Sequence, residues 1–277
     1  MLKIKQLEKD RNIEGKRVLL RVDFNVPLND GFITETSRIK KVLPTIKSLI
    51  DKKAKIIIIS HLGRPKGKII PELSLKPVAT KLSSFLNQNV VFLNENIGKN
   101  VIEKSKETPN GRVLLLENLR FSNDEELNTE SFAKELSQNG DIYINEAFSC
   151  SHRAHASVSK ITKHIESFAG NMLFEEVNFI KMLTSNAKKP VTCIIGGSKI
   201  STKIGVLSNL IKKMETIIIV GAMANNFIKY KGYNIGKSIF EKNQENLLKD
   251  IVEKCKINNC NLVLPEDVIV AKDKKSR

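Results

Sequence analysis

Short runs of apolar, mostly β-branched residues recur along this chain and alternate with amphipathic stretches of helical length. Nearly continuous apolar runs are typical of strands that are covered on both faces, as in parallel sheets. Five runs lie in the first part of the chain and three in the second, at residues 18–22, 56–59, 90–93, 113–116, 142–144, 191–195, 217–220 and 262–264. The sequence therefore predicts an α/β fold with two open, doubly wound sheets.

The length of the chain and one helical segment indicate two domains. A chain of 277 residues is long enough to bury two cores. Residues 172–183 have helical spacing and lead through a Lys-Lys-Pro turn into the second series of strands, which is typical of a domain connector. We predict an N-terminal domain over 1–170, a connecting helix over 171–186 and a C-terminal domain over 187–277.

Arginine is scarce in this chain, with 9 residues against 37 lysines, and it is concentrated where strands should end. Ligands of open α/β sheets bind beyond the carboxyl ends of the strands. A guanidinium group also grips phosphate or carboxylate at two points, which lysine does not do. We therefore expect a pocket for a small, multiply charged anion, formed by Arg21, Arg38, Arg64, Arg120 and Arg153.

The formal net charge of +16 raises the alternative of a nucleic-acid-binding protein. Its lysines are spread along the whole length, and only 15 aromatic residues are available to stack on bases, so a small anionic metabolite is the favoured ligand. The four cysteines form no Cys-x-x-Cys pair, and no apolar run reaches membrane-spanning length. We predict a cytoplasmic protein that binds neither nucleic acid nor membrane.

The segment Gly196-Gly-Ser-Lys-Ile-Ser-Thr-Lys203 follows a predicted strand and opens a predicted helix. Gly196 and Gly197 let backbone amides approach a phosphate closely, and a helix N-terminus favours an anion. Lys199 and Lys203 are four residues apart and are expected to share a helix face. The pattern is not a Walker P-loop. A tight turn with two solvated lysines explains it equally well.

Asp23, Asn25 and His61 follow the first two predicted strands. Asp23 and Asn25 alternate with Phe24, so both are expected to face the same side, where a carboxylate and an amide bind a substrate hydroxyl. Asp and Asn are also ordinary turn residues, and a histidine at such a position is more often a structural hydrogen-bonding group. These three residues are therefore weak indicators by themselves.

Six segments taken together resemble the phosphoglycerate kinase family, in the same order and spacing and over essentially the whole chain. They are Arg21-Val-Asp-Phe-Asn-Val-Pro27, Ser60-His-Leu-Gly-Arg-Pro-Lys-Gly67, Leu116-Glu-Asn-Leu-Arg-Phe121, His152-Arg-Ala-His-Ala-Ser157, Gly196-Gly-Ser-Lys-Ile-Ser-Thr-Lys-Ile204 and Leu264-Pro-Glu-Asp-Val268. The resemblance implies two Rossmann-like domains and reversible phosphoryl transfer between ATP and the 1-carboxylate of 3-phosphoglycerate, giving ADP and 1,3-bisphosphoglycerate. It also implies a monomer, Mg²⁺ bound with the nucleotide, and a hinge near the connecting helix.

The resemblance assigns a role to each matched residue. Arg38 and Lys199 would stabilise the phosphoryl group in transfer. The residues that would bind 3-phosphoglycerate are Asp23, Asn25, Arg38, His61, Arg64, Arg120 and Arg153. The residues that would bind the nucleotide are Gly196, Gly197, Lys203 and Gly221. No metal ligand is assigned within this chain, because the resemblance places the family's metal contacts in a later segment that this sequence lacks.

The chain departs from the family pattern in three places. Glu146 stands where the family usually has Asp, and the stretch around Gly221 has fewer glycines than is usual. The family's Gly-Gly-Gly-Asp segment does not occur. We therefore expect an incomplete second domain and a fragment with impaired turnover. The alternative is a non-catalytic module that binds phosphorylated metabolites.

Overall fold

The computed structural model describes residues 4–8, 10–185 and 187–271. The chain divides into two compact units, one ending at Phe179 and the other beginning at Ile180. This division falls inside the predicted connecting helix, which the structure places at Asn171–Ser185. The finer domain boundaries stay a prediction.

The first unit is built on a six-stranded parallel sheet. Its strands are β1 (Arg17–Arg21), β4 (Lys55–Ile59), β5 (Val90–Leu93), β6 (Val113–Leu116), β7 (Ile142–Asn145) and β8 (Ser167–Ala169), in the order β5–β6–β4–β1–β7–β8. A small hairpin pairs β2 (Leu28–Asn29) with β3 (Phe32–Ile33). The chain starts in the middle of the sheet at β1 and later continues on its other side at β7. Such a switch of direction opens a crevice at the carboxyl ends of the strands.

Helices cover both faces of this sheet. They are α1 (Ser37–Asp51), α2 (Lys76–Leu86), α3 (Lys99–Glu107), α4 (Asn123–Glu126), α5 (Glu130–Ser137) and α6 (Asn171–Ser185). Neighbouring residues of one strand point to opposite faces, so Leu20 packs with Ile46 of α1 whereas Leu19 packs with Phe132 of α5. Two buried apolar layers result. The prediction of a doubly covered parallel sheet is confirmed.

The second unit contains a three-stranded parallel sheet in the order β11–β10–β9. Its elements are β9 (Thr192–Gly196), α7 (Ile204–Ile211), β10 (Thr216–Val220), α8 (Ala222–Tyr230), α9 (Glu245–Ile257) and β11 (Asn261–Val263). Ile217 and Ile219 of β10 pack in the core of this unit together with Phe227 of α8. On the other face, Ile194 is 66% exposed. The helices described in this unit thus cover one side of its sheet.

Helices long and apolar enough to cross a membrane are not found in the described part of the chain.

Candidate active site

A cavity of about 280 Å³ opens at the carboxyl edge of the first sheet. Its walls come from the first turn of α1 and from the loops that follow β1, β4, β6 and β7. The residues that line it are Asp23, Asn25, Arg38, His61, Gly63, Arg64, Arg120, Ser149, Cys150 and Arg153. The structure therefore brings together all seven residues predicted to bind substrate, while their individual roles stay a prediction.

The lining of this cavity is strongly cationic. Four guanidinium groups, those of Arg38, Arg64, Arg120 and Arg153, lie around a single carboxylate, Asp23. Arg38 belongs to the first turn of α1, where the helix dipole adds positive potential. The arrangement suits a ligand with several negative charges and a size of a few carbon atoms.

Asp23 is held by groups from three parts of the chain. Its Oδ2 accepts hydrogen bonds from Ser149 Oγ and from the Arg38 guanidinium, and its Oδ1 accepts one from the backbone N–H of Asn25 at 3.0 Å. Burial opposes ionisation of this carboxyl, but the hydrogen bonds and the charge of Arg38 outweigh burial and lower the pKa of Asp23. Asp23 is therefore an anionic acceptor at neutral pH, and it holds Arg38 in place.

His61 is buried and neutral. Burial and the charges of Arg21 and Arg120 lower its pKa far below the ordinary value. Its Nδ1 lies 3.0 Å from Nη2 of Arg21, and arginine only donates, so Nδ1 is the acceptor and Nε2 carries the proton. His61 therefore offers an uncharged N–H donor to the cavity.

Asn118 forms hydrogen bonds that connect the loop after β4 to the loop after β6, and both loops carry cavity residues. Its Nδ2 donates to the carbonyl oxygens of Leu62 at 2.7 Å and Leu73 at 2.9 Å, and its Oδ1 accepts from the backbone N–H of Arg120. Arg120 in turn donates from Nη1 to the carbonyl oxygen of Gly63 at 2.8 Å. These bonds hold the buried Arg120 in position.

Arg21 does not line the cavity, contrary to the expectation from the sequence. It is fully buried behind the cavity, where Nε donates to Ser157 Oγ at 3.0 Å and Nη1 donates to the carbonyl oxygen of Val22. Ser157 is bonded further to the buried carboxylate of Glu125. Arg21 ends a central strand, so its side chain points into the helix-covered layer and not past the edge of the sheet.

In the second unit, three glycines lie together at the carboxyl ends of β9 and β10. A Cβ at Gly196 would lie 2.8 Å from a methyl group of Val220, and Gly221 has a φ of +67°, which favours glycine. The backbone N–H of Met223 donates to the carbonyl oxygen of Gly197 at 2.9 Å and joins the two loops. The predicted nucleotide-binding glycines are thus adjacent.

The two lysines that follow these glycines do not share a helix face, so that expectation was wrong. Lys199 lies in an exposed turn, Lys203 ends a short 3₁₀-helix (Ser201–Lys203), and α7 begins only at Ile204. The backbone N–H of Ser201 is also occupied, because it donates to Glu241 Oε2 at 3.0 Å. Glu241, Ser149 and Cys150 were missed by sequence reasoning, since no local pattern marks their distant partners.

No three His, Cys, Asp or Glu side chains lie close enough to hold a metal ion within residues 4–8, 10–185 and 187–271. Hydrogen bonds from Ser201 and, to a smaller extent, the charge of Lys199 lower the pKa of Glu241, whose carboxylate is thus already bonded to Ser201. The described residues therefore do not fit a resident Mg²⁺.

Comparison with known proteins identifies the family. A sequence model described as Phosphoglycerate kinase matches residues 8–277. The phosphoglycerate kinase of Finegoldia magna is 48% identical over 271 residues, which are 97% of this chain and 69% of the relative. The chain belongs to the phosphoglycerate kinase family. The relative from Bartonella bacilliformis is 47% identical over 261 residues, covering 94% of this chain and 65% of that protein.

Solved structures agree with this assignment. The phosphoglycerate kinase of Coxiella burnetii superposes with a TM-score of 0.81 at 38% identity, over 97% of this chain and 69% of that one. The chain thus spans about two thirds of the length of its relatives. Phosphoglycerate kinases are phosphotransferases of glycolysis, so the predicted family, fold class and enzyme class are confirmed.

Proposed function

We propose that the first unit binds 3-phosphoglycerate in the arginine-lined cavity and that the second unit binds the phosphates of ATP or ADP. The observation that carries this proposal is the convergence of all seven predicted substrate residues on one cavity of about 280 Å³. Residues as far apart in the chain as Asp23 and Arg153 meet there. A cavity of this size and charge fits a three-carbon acid with one phosphate.

The positions of the side chains support separate roles for the residues of the cavity, which would bind different parts of the substrate. Arg64, Arg120 and Arg153 would bind the 3-phosphate together with the Nε2–H donor of His61. Asn25 Oδ1 already accepts from the backbone N–H of Gly63 at 2.8 Å, which leaves its amide N–H groups for the substrate. Asp23 would accept the substrate hydroxyl.

Arg38 would bind the carboxylate and would then act on the phosphoryl group. It is paired with Asp23, yet its side chain remains 43% exposed. An entering carboxylate would therefore share this guanidinium with Asp23. A fork with five N–H donors can bind both partners at once.

The proposed reaction needs charge stabilisation and no general base. A carboxylate oxygen of 3-phosphoglycerate attacks the γ-phosphorus of ATP, and the bond from that phosphorus to the β–γ bridging oxygen breaks, so ADP leaves with the electron pair. The acceptor is already ionised. Arg38 and Lys199 would stabilise the charge on the transferring oxygens, and Lys203 with the glycine loops would hold the remaining phosphates.

The nucleotide would bring Mg²⁺ with it, as membership of the family implies, and the described residues offer no cluster of ligands for that ion. We further propose that the protein acts as a cytoplasmic monomer, as the resemblance to the family implies.

A calorimetric titration with 3-phosphoglycerate tests this proposal. The unaltered chain should show saturable one-to-one binding, and Arg38→Ala should weaken it about 10- to 100-fold, the usual loss for a hydrogen-bonded charge pair. The matched control is Arg112→Ala, which removes an arginine that donates to Gln88 at 3.0 Å before β6, away from the cavity. Equal affinity in the two variants, or no binding by the folded chain, would refute the proposal.

A further inference from the structure

A carboxylate from a distant segment holds the turn that carries the two lysines of the second unit. Glu241 lies 40 residues beyond Ser201, and its two oxygens accept from the backbone N–H and from Oγ of that serine. Bonds from both groups of Ser201 lower the pKa of Glu241, so it is ionised at neutral pH. Ser201 lies between Lys199 and Lys203, which makes Glu241 the anchor of the whole turn.

Glu241 is itself fixed to α8. Its backbone N–H donates to Oδ1 of Asn226 at 2.9 Å, and Asn226 is a buried polar residue of that helix. The neighbouring Asn225 donates from Nδ2 to the carbonyl oxygen of Ile239 at 2.9 Å. Two successive asparagines of α8 thus hold the segment that contains Glu241.

The same helix is bonded to the glycine loop at its other end. α8 begins after Gly221, and the N–H of Met223 in its first turn donates to the carbonyl oxygen of Gly197. A closed path of hydrogen bonds therefore runs from the loop at Gly197 through α8 to Glu241 and returns to the turn at Ser201. One helix, α8, therefore holds both Gly197 and Ser201, which lie on the two sides of Lys199.

We propose that Glu241 is a positioning residue for nucleotide binding: through Ser201, and with support from Asn226, it holds Lys199 and Lys203 where they meet the phosphates. The inference rests on the proposed function of the second unit. Glu241 touches no substrate in this scheme, because its oxygens are directed to Ser201. It also accepts the bond from the backbone N–H of Ser201, so that amide is not available to a phosphate.

Because Glu241 is negatively charged, whether its removal strengthens or weakens nucleotide binding distinguishes its two possible roles. A carboxylate that acts only through space repels a polyphosphate, so its removal should strengthen nucleotide binding. A carboxylate that positions the turn should weaken binding when it is removed, because the lysines then lose their fixed geometry. The two roles therefore predict opposite signs for the same substitution.

The test is the affinity for ADP in the presence of Mg²⁺, measured by calorimetry below the melting transition of each variant. We expect Glu241→Ala and Ser201→Ala each to weaken binding about 10-fold, and the double variant to lose no more than either single one. Glu241→Gln keeps the size and one acceptor oxygen and should recover part of the affinity. Glu253→Ala removes an exposed carboxylate of α9 and should change the affinity less than twofold.

The failures of this inference and of the proposed function are distinguishable. Absence of ADP binding by the folded, unaltered chain, or binding that Lys203→Ala leaves intact, overturns the proposed nucleotide site and the inference with it. Lys203-dependent binding that is unchanged or strengthened in both Glu241 variants overturns the inference alone. Additive losses in the double variant would likewise show that Glu241 does not act through Ser201.

Discussion

Gly170 has no room for a side chain because Glu146 fills the space beside it. Glu146 follows β7 and is buried, and its carboxylate accepts from Thr45 of α1 and from the first backbone N–H groups of α6, among them that of Met172 at 2.9 Å. A Cβ built on Gly170 would lie 2.5 Å from Glu146 Cγ and closer still to its Cδ. The φ of Gly170 is not positive, so the backbone itself would accept alanine.

Gly170→Ala should therefore destabilise the first unit through this one collision. Overpacking a buried site costs about 1–3 kcal/mol. The carboxylate must also move away from at least one of its buried donors, at about 1 kcal/mol for each lost bond. The expected loss is about 2–4 kcal/mol in the free energy of unfolding.

Glu146→Asp is the second substitution of a double-mutant cycle with Gly170→Ala. It removes one methylene and withdraws the carboxylate from Gly170, at a cost of about 1–2 kcal/mol from longer or lost bonds to α6. In Gly170→Ala/Glu146→Asp the new methyl group occupies the vacated space. The double variant should therefore be more stable than the sum of the two single losses predicts, by at least about 1 kcal/mol.

Urea unfolding followed by near-ultraviolet circular dichroism measures this coupling. Tyr143 is buried in the first unit, whereas Tyr230 and Tyr233 are exposed, so the aromatic signal reports mainly on the first unit. Gly205→Ala is the control, because its new Cβ would meet no atom within 4 Å outside the backbone of its own helix, and it belongs to the second unit. Strict additivity of the two single losses would refute the steric argument, as would a Gly170→Ala midpoint equal to that of the unaltered chain.

Three further outcomes follow from buried groups. The lowered pKa of His61 keeps its ring neutral in the folded chain, whereas the unfolded chain gains a proton there below about pH 6.5. The free energy of unfolding should therefore fall with decreasing pH by up to about 1.4 kcal/mol per pH unit from this group. In urea titrations, His61→Asn should reduce this dependence of the free energy of unfolding on pH between about pH 6.5 and 5. Tyr143→Phe removes a 2.6 Å hydrogen bond to the carbonyl oxygen of Ser157 and should lower the free energy of unfolding by about 1–3 kcal/mol, whereas a neutral substitution would contradict that bond. Burial raises the pKa of Cys255 to about 11, so a disulfide reagent at pH 8 should label it slowly until urea unfolds the chain.

The strands that sequence reasoning predicted are those with a strong local signal. All eight apolar runs form parallel strands within a residue of the predicted limits. In the first unit the central strands are buried on both faces, which requires continuous apolar sequence, whereas the described helices of the second unit cover one face of β9, β10 and β11. β8 and the β2–β3 hairpin were missed. β8 has three residues, of which only Phe168 is buried, so its place depends on pairing with β7 and not on its own composition.

The cavity was predictable for a related reason. Parallel strands bring their carboxyl ends to one edge, so residues that follow several strands meet there whatever their separation in the chain. The supporting groups were not predictable in this way. Glu241 reaches Ser201 across 40 residues and Ser149 reaches Asp23 across 126, and no periodicity links such pairs.

Burial explains why the deepest cation of the cavity, Arg120, is an arginine and not a lysine. Among the residues that the structure describes, the buried cationic side chains are Arg21 and Arg120, and no lysine is buried. A buried ammonium loses its charge readily, whereas a guanidinium remains charged even where burial lowers its pKa, as at Arg120. Arg120 can also donate to Gly63 and keep other N–H groups for an anion. Lys199, by contrast, is exposed, so its position imposes no such requirement on the type of cation.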